Sequence, residues 1–146
     1  MGSKNCVFCA KKETIKHLFF ECHYATFIWR AVQFSFGLSP HTSCCHIASS
    51  WLQGLDSKRK SLIWTGVAAI CWAIWLSRND IVFNKDISPT YLQVLFRGTY
   101  WVRFWAQLQK LEENKAILIQ GARHIESVVM GVFAENGWRF SNRISM

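Results

Sequence analysis

The sequence predicts a mainly α-helical fold: an N-terminal zinc-stapled loop followed by a multi-helix bundle or array. Three observations carry that reading. Four soft metal donors stand at the spacing Cys6-x2-Cys9-x7-His17-x4-Cys22. Beyond them, apolar residues recur at steps of three and four, the period of a helix buried along one face. Period-two alternation is scarce and the chain has only 2 Pro, so little favours strands.

The elements follow in order. Residues 4–13 are polar and turn-like, as a metal loop requires. Two residues between Cys6 and Cys9 make a tight turn that aims both sulfurs at one ion, and His17 with Cys22 supplies the second pair from a helix start or distorted turn. His23 competes with His17 for the histidine position; His17 is favoured because it leaves Cys22 as the last ligand. Leu18, Cys22, Ala25, Trp29 and Val32 then define a helical stripe, widened by Phe19, Phe27 and Ile28, over about 14–36. Gly37 and Pro40 end it, residues 38–45 read as a loop, and a short helix around 46–53 closes at Gly54. Asp56 or Ser57 caps a helix to about Phe83. Ser88 followed by Pro89 predicts a cap and first-turn proline for a helix to about Lys110. Helical periodicity resumes from Leu111 through Ile117, Ile125 and Val129, and the tail from Gly131 reads as loosely structured. We read one domain in three stretches: 1–36 as the zinc-binding segment with the first helix, 37–110 as the helical body continuous with it, and 111–146 as the C-terminal helix and tail.

Composition narrows the classes. The chain is 51% apolar and 15% aromatic, which excludes a disordered polypeptide. A net charge of +8 favours an anionic partner, nucleic acid before an acidic membrane surface. No apolar signal segment precedes Cys6, so an intracellular, reducing compartment is expected, where Cys-x2-Cys reads as metal rather than disulfide. One structural Zn2+ in a closed site is the expected cofactor. His41 with Cys44, Cys45 and His46 is a poorer second site, because adjacent cysteines rarely reach one ion without strain. Cys71 reads as a small buried hydrophobe.

The stretch from Ser61 to Ser77 carries no charge. At ~1.5 Å per residue it rises about 26 Å, short of the ~30 Å bilayer core. Trp64, Trp72 and Trp75 also sit inside it, so a buried core helix is favoured over a membrane span. The next helix interleaves arginine with aromatics: Arg97, Trp101 and Phe104 share a face, and Arg103 lies beside Phe104. Arginine for phosphate and rings for unpaired bases are what a single-stranded nucleic-acid surface uses. The commoner alternative is a core face flanked by solvated cations. Lys11, Lys12 and Lys16, beside the metal loop, are the better candidates for phosphate contact. No Gly-rich phosphate loop, nucleophile elbow or grouped carboxylates appear, and the chain reads as non-enzymatic, with no catalytic residues.

The residues Cys6-Val7-Phe8-Cys9, Glu13-Thr14-Ile15-Lys16-His17-Leu18-Phe19-Phe20-Glu21-Cys22, then Ala25 and Trp29, closely resemble the zinc-binding domain associated with reverse transcriptases of plant non-LTR (LINE-type) retrotransposons. A second stretch, Trp72-Ala73-Ile74-Trp75-Leu76-Ser77-Arg78-Asn79-Asp80-Ile81-Val82-Phe83, looks like that family's downstream Trp-x2-Trp-x2-Arg-Asn-x3-Phe segment. The two matches span roughly residues 6–86. The resemblance implies an accessory module with Cys6, Cys9, His17 and Cys22 as ligands, helping to hold template RNA or target DNA near a polymerase, with the nucleus as its place of action; from it and the basic charge we expect non-specific binding of RNA or single-stranded DNA. The polymerase's catalytic aspartates and a ribonuclease H-like strand pattern are both missing from these residues, so a retroelement fragment or derivative is expected. The competing expectation is a zinc-stapled protein-interaction module that self-associates through its Trp-rich helices.

Overall fold

In a computed structural model, residues 5–38, 47–85 and 87–136 are described. Four α-helices and two single π-helical turns account for most of them, and among the described residues no strand forms beyond an isolated bridge between Asn5 and Lys12. The predicted mainly α fold, with a Cys/His cluster at its N-terminal end, is what the structure has. Residues 39–46, which include Pro40 and the His41, Cys44, Cys45, His46 cluster, lie outside the described residues.

The helical pattern read over 14–36 is not one helix. A π-helical turn, His17–Glu21, is followed by Cys22 in extended conformation, and helix α1 runs His23–Phe36. The break falls where the donors must converge, so metal-site geometry overrides a continuous apolar period. Gly37, in the left-handed region at φ 62°, ends α1 by returning its N–H to the Gln33 carbonyl. The short helix expected near 46–53 is seen as a π-helical turn, Ile47–Trp51.

Helix α2, Ser57–Asn84, starts where the Asp56 side chain accepts the Arg59 N–H at 2.8 Å, one of the two expected caps. Helix α3, Tyr91–Ala106, begins two residues beyond the expected Ser88-Pro89 start. Thr90 is its cap, and Gln93 reaches back to the Thr90 N–H at 2.7 Å to complete a capping box. Helix α3 ends at Ala106, short of Lys110, in a turn stabilised by Gln107, Leu108 and Gln109 N–H groups on the carbonyls of residues 104–106. Helix α4, Glu112–Asn136, continues past Gly131, so residues 131–136 are helical rather than loose.

Helices α2 and α3 form a closely packed hairpin, α4 lies against α3, and α1 bridges α4 and α3. At the hairpin's closest approach Gly98 faces Ile70 and Ala73; a Cβ there would stand 3.5 Å from Ile70. Trp29, Ile28, Ile74, Val94, Leu95 and Phe133 are among the most deeply buried side chains. The Trp29 indole N–H donates to the Phe19 carbonyl at 2.7 Å, which ties the first π-helical turn to this core. By length and composition, α2 and α4 are apolar enough to cross a membrane. Here α2 presents Leu62, Val67, Ile70 and Ile74 to the core.

Candidate metal centre

The metal loop is shaped by its backbone. Ala10 donates to the Cys6 carbonyl at 2.8 Å, and Cys6 donates to the Lys11 carbonyl at 2.6 Å, closing a tight knuckle over residues 6–11. Ala10 takes a left-handed conformation, φ 62°, to make that turn. An alanine there carries about 1 kcal/mol of backbone strain that glycine escapes. Ala10→Gly should therefore raise stability by about 0.5–1 kcal/mol in urea denaturation; a loss would mean the turn is not left-handed.

The second pair is set by the π-helical turn. Thr14 accepts the His17 N–H on its hydroxyl at 3.0 Å and starts the turn. Cys22 then donates to the His17 carbonyl at 2.7 Å, an i→i+5 bond. In an α-helix residues five apart point about 140° from each other. Closing the turn on i+5 places Cys22 above His17, so both side chains face the knuckle.

Cys6, Cys9, His17 and Cys22 converge, with all four donor atoms within 4.8 Å of one another. They lie close enough to hold one metal ion. The Cys6 and Cys22 sulfurs are 3.8 Å apart, and Cys9 Sγ is 3.0 Å from His17 Nε2. Two sulfurs at Zn–S ≈ 2.3 Å in a tetrahedron stand about 3.8 Å apart, whereas a disulfide needs ~2.05 Å. The donor set therefore fits a tetrahedral three-cysteine, one-histidine site. Between the two candidate histidines the geometry selects His17, because His23 is not in the cluster.

Without an ion, burial dominates the electrostatics of the site. Burial pushes the Cys6 and Cys22 thiols above their ordinary value. The N–H groups of Phe8 and Cys9 on Cys6, and of Tyr24 on Cys22, pull the other way and would stabilise thiolates. His23 is held below its ordinary pKa first by burial, then by Lys11 and His17, consistent with a neutral imidazole at the rim. Phe8, Tyr24, Tyr91, Phe27 and Phe133 form a chain of ring contacts beside the site, with Phe8 and Tyr24 centroids 4.6 Å apart. Cys6 and Cys22 are almost fully buried.

One component was missing from the sequence reading. Arg78, near the end of α2, grips Glu13 of the metal loop with Nε at 3.0 Å and Nη2 at 2.7 Å. Its guanidinium also lies 5.0 Å from the Trp75 ring centroid and donates to Asn79 at 2.9 Å. The Trp-x2-Arg-Asn string was the available signal: its arginine anchors the metal loop to the hairpin.

The residues expected to meet nucleic acid lie in different surroundings. Lys11 and Lys12 are exposed on the metal loop, and Lys16 is exposed where the π-helical turn begins, with Glu21 at 3.8 Å. Arg97 and Arg103 are not free for phosphate. Arg97 pairs with Asp80 at 2.6 Å, and Arg103 with Glu126, which also accepts the Thr99 hydroxyl. Asp80 thus serves as an ion-pair partner to α3. Comparison with protein families, curated proteins and solved structures finds no match for this chain.

Proposed function

We propose that this chain is a non-enzymatic accessory module, held together by one zinc ion, that binds RNA or single-stranded DNA with little sequence selectivity. The convergence of Cys6, Cys9, His17 and Cys22 carries this reading, with Lys11, Lys12 and Lys16 exposed beside it. Three cysteines and a histidine suit zinc over harder cations. The chain's +8 charge supplies long-range attraction to a polyanion. The residue strings that resemble the reverse-transcriptase-associated zinc-binding domain support the same function, and with it a nuclear, intracellular setting.

The ion pairs of Arg97 and Arg103 move the proposed contact surface away from α3 and onto the metal loop. Single-strand affinity should fall with salt. If the three lysines each neutralise one phosphate, raising salt from ~50 to ~200 mM should weaken binding roughly 20-fold. Replacing Lys11 and Lys12 with alanine should flatten that slope by about two-thirds. Fluorescence-anisotropy titration of a labelled oligonucleotide at several salt concentrations measures both. Salt-independent affinity, or none with micromolar protein, would refute the proposal.

A further inference from the structure

Helix α2 has no charged residue between Ser61 and Ser77, so it is apolar around its circumference. Yet only 39% of its most apolar window is buried. A helix apolar on every side is normally covered on every side. Its uncovered part joins an aromatic surface on α3. Trp72 and Tyr100 are 39% and 50% exposed, and Phe104 is 50% exposed. Trp101 meets all three rings, at centroid distances of 6.3 Å to Trp72, 5.4 Å to Tyr100 and 5.2 Å to Phe104. These are one connected patch rather than scattered apolar residues.

We propose that this outer face of the α2–α3 hairpin is a self-association surface whose occupant is a second copy of the chain. Charge decides between occupants. The arginines bordering the patch, Arg78, Arg97 and Arg103, are each held by a carboxylate of their own chain, Glu13, Asp80 and Glu126. The face therefore offers little to phosphate, or to the anionic headgroups that basic interfacial helices use. Two copies at +8 repel over most of their surface and can meet where it is uncharged. A two-fold interface also places the same patch on both sides, and a neutral aromatic face is complementary to itself. At ~150–250 Å² per aromatic side chain, the exposed portions of Trp72, Trp75, Tyr100 and Phe104 come to about 400 Å² per copy. With the neighbouring Ala68 and Trp101, the pair approaches the ~1,000 Å² of a weak, reversible dimer.

Sedimentation equilibrium of the zinc-loaded full chain across the micromolar range tests this. A dimer that persists or tightens at high salt is expected. The Tyr100→Lys, Phe104→Lys pair should weaken it at least about tenfold, because like charges would face each other. Phe34→Lys, an equally drastic change at an exposed ring of α1, should leave it intact. If the lysine pair loses helix content by circular dichroism, Tyr100→Gln with Phe104→Gln carries the same test. A monomer at every concentration overturns the proposal, as does a dimer that survives both pairs. A monomer that co-sediments with phosphatidylcholine vesicles, or loses RNA affinity in these variants, overturns it by giving the face another occupant. The sedimentation and vesicle results do not depend on whether the lysines at the metal loop bind nucleic acid.

Discussion

Chelating the metal from the purified chain is expected to destabilise its N-terminal segment and to lower the melting temperature of the whole fold. Among the described residues, the path from Asn5 to Cys22 has little regular structure of its own beyond two short turns and an isolated bridge. What converges there is three thiols and an imidazole, with Cys6 and Cys22 almost fully buried. A structural zinc contributes about 10–16 kcal/mol near neutral pH, as much as the ~5–15 kcal/mol that separates a whole domain from its unfolded state. Cys22→Ser should have the same consequence as chelation, since it removes the most deeply placed donor. Elemental analysis should give one zinc per chain, lost in Cys9→Ser and in His17→Ala.

The pH dependence should change sign with the metal. In the metal-free fold, burial raises the Cys6 and Cys22 thiols above the ordinary 9.0. The folded chain then keeps protons that the unfolded chain releases, so metal-free stability falls as pH rises through that value. Zinc displaces the same protons, so the loaded chain gains stability as pH rises toward neutrality. Thermal denaturation with and without chelator, from about pH 6 to 10, measures both slopes. A chain without zinc that melts as the loaded one does would remove the basis of the proposed function.

Arg78→Ala should cost about 3 kcal/mol, far more than an ordinary surface pair. Arg78 and Glu13 side chains are only 14% and 17% exposed, so solvent screens their bidentate contact weakly. Removing the guanidinium strands the Glu13 carboxylate against the hairpin. Arg78→Lys should recover little, because an ammonium cannot reproduce the two-pronged geometry or the stacking on Trp75. Glu13→Gln should be milder, since it leaves no uncompensated carboxylate. Urea denaturation gives the costs, and competitive zinc titration should show weaker metal binding in Arg78→Ala. A cost below about 0.5 kcal/mol would mean that the pair is solvated and that the loop is anchored elsewhere.

The Cys/His cluster was legible because spacing constrains it: Cys-x2-Cys admits few conformations, and the four-residue gap before Cys22 left a helix start or a distorted turn as ways to bring His17 and Cys22 together. The break at Cys22 was not legible. Leu18, Cys22, Ala25 and Trp29 keep a helical period straight through it, and only the need to bring His17 and Cys22 together interrupts the backbone. The α3 start was misplaced because Ser88-Pro89 imitates a cap, while the stronger signal, Thr90 with Gln93 three residues on, lay just beyond it. The roles of Arg97 and Arg103 could not be read from α3 alone. Their carboxylate partners, Asp80 and Glu126, sit on other helices, 17 and 23 residues away in sequence. The Glu13–Arg78 pair spans 65 residues, beyond any local pattern.

The donors of the metal centre are close along the chain as well as in space: Cys6 and Cys22 are 16 residues apart. Loop-closure entropy grows only slowly with length and is small for so short a segment. Forming this site requires no docking of α2, α3 or α4, whereas the hairpin and the Glu13–Arg78 grip require long-range search. The centre is thus more local in sequence than the helix-to-helix contacts, and it should form ahead of them in refolding. Stopped-flow refolding with zinc present should show the N-terminal segment protected ahead of the helices. Zinc added late should leave a slow phase in which an already collapsed helical body waits for its anchor.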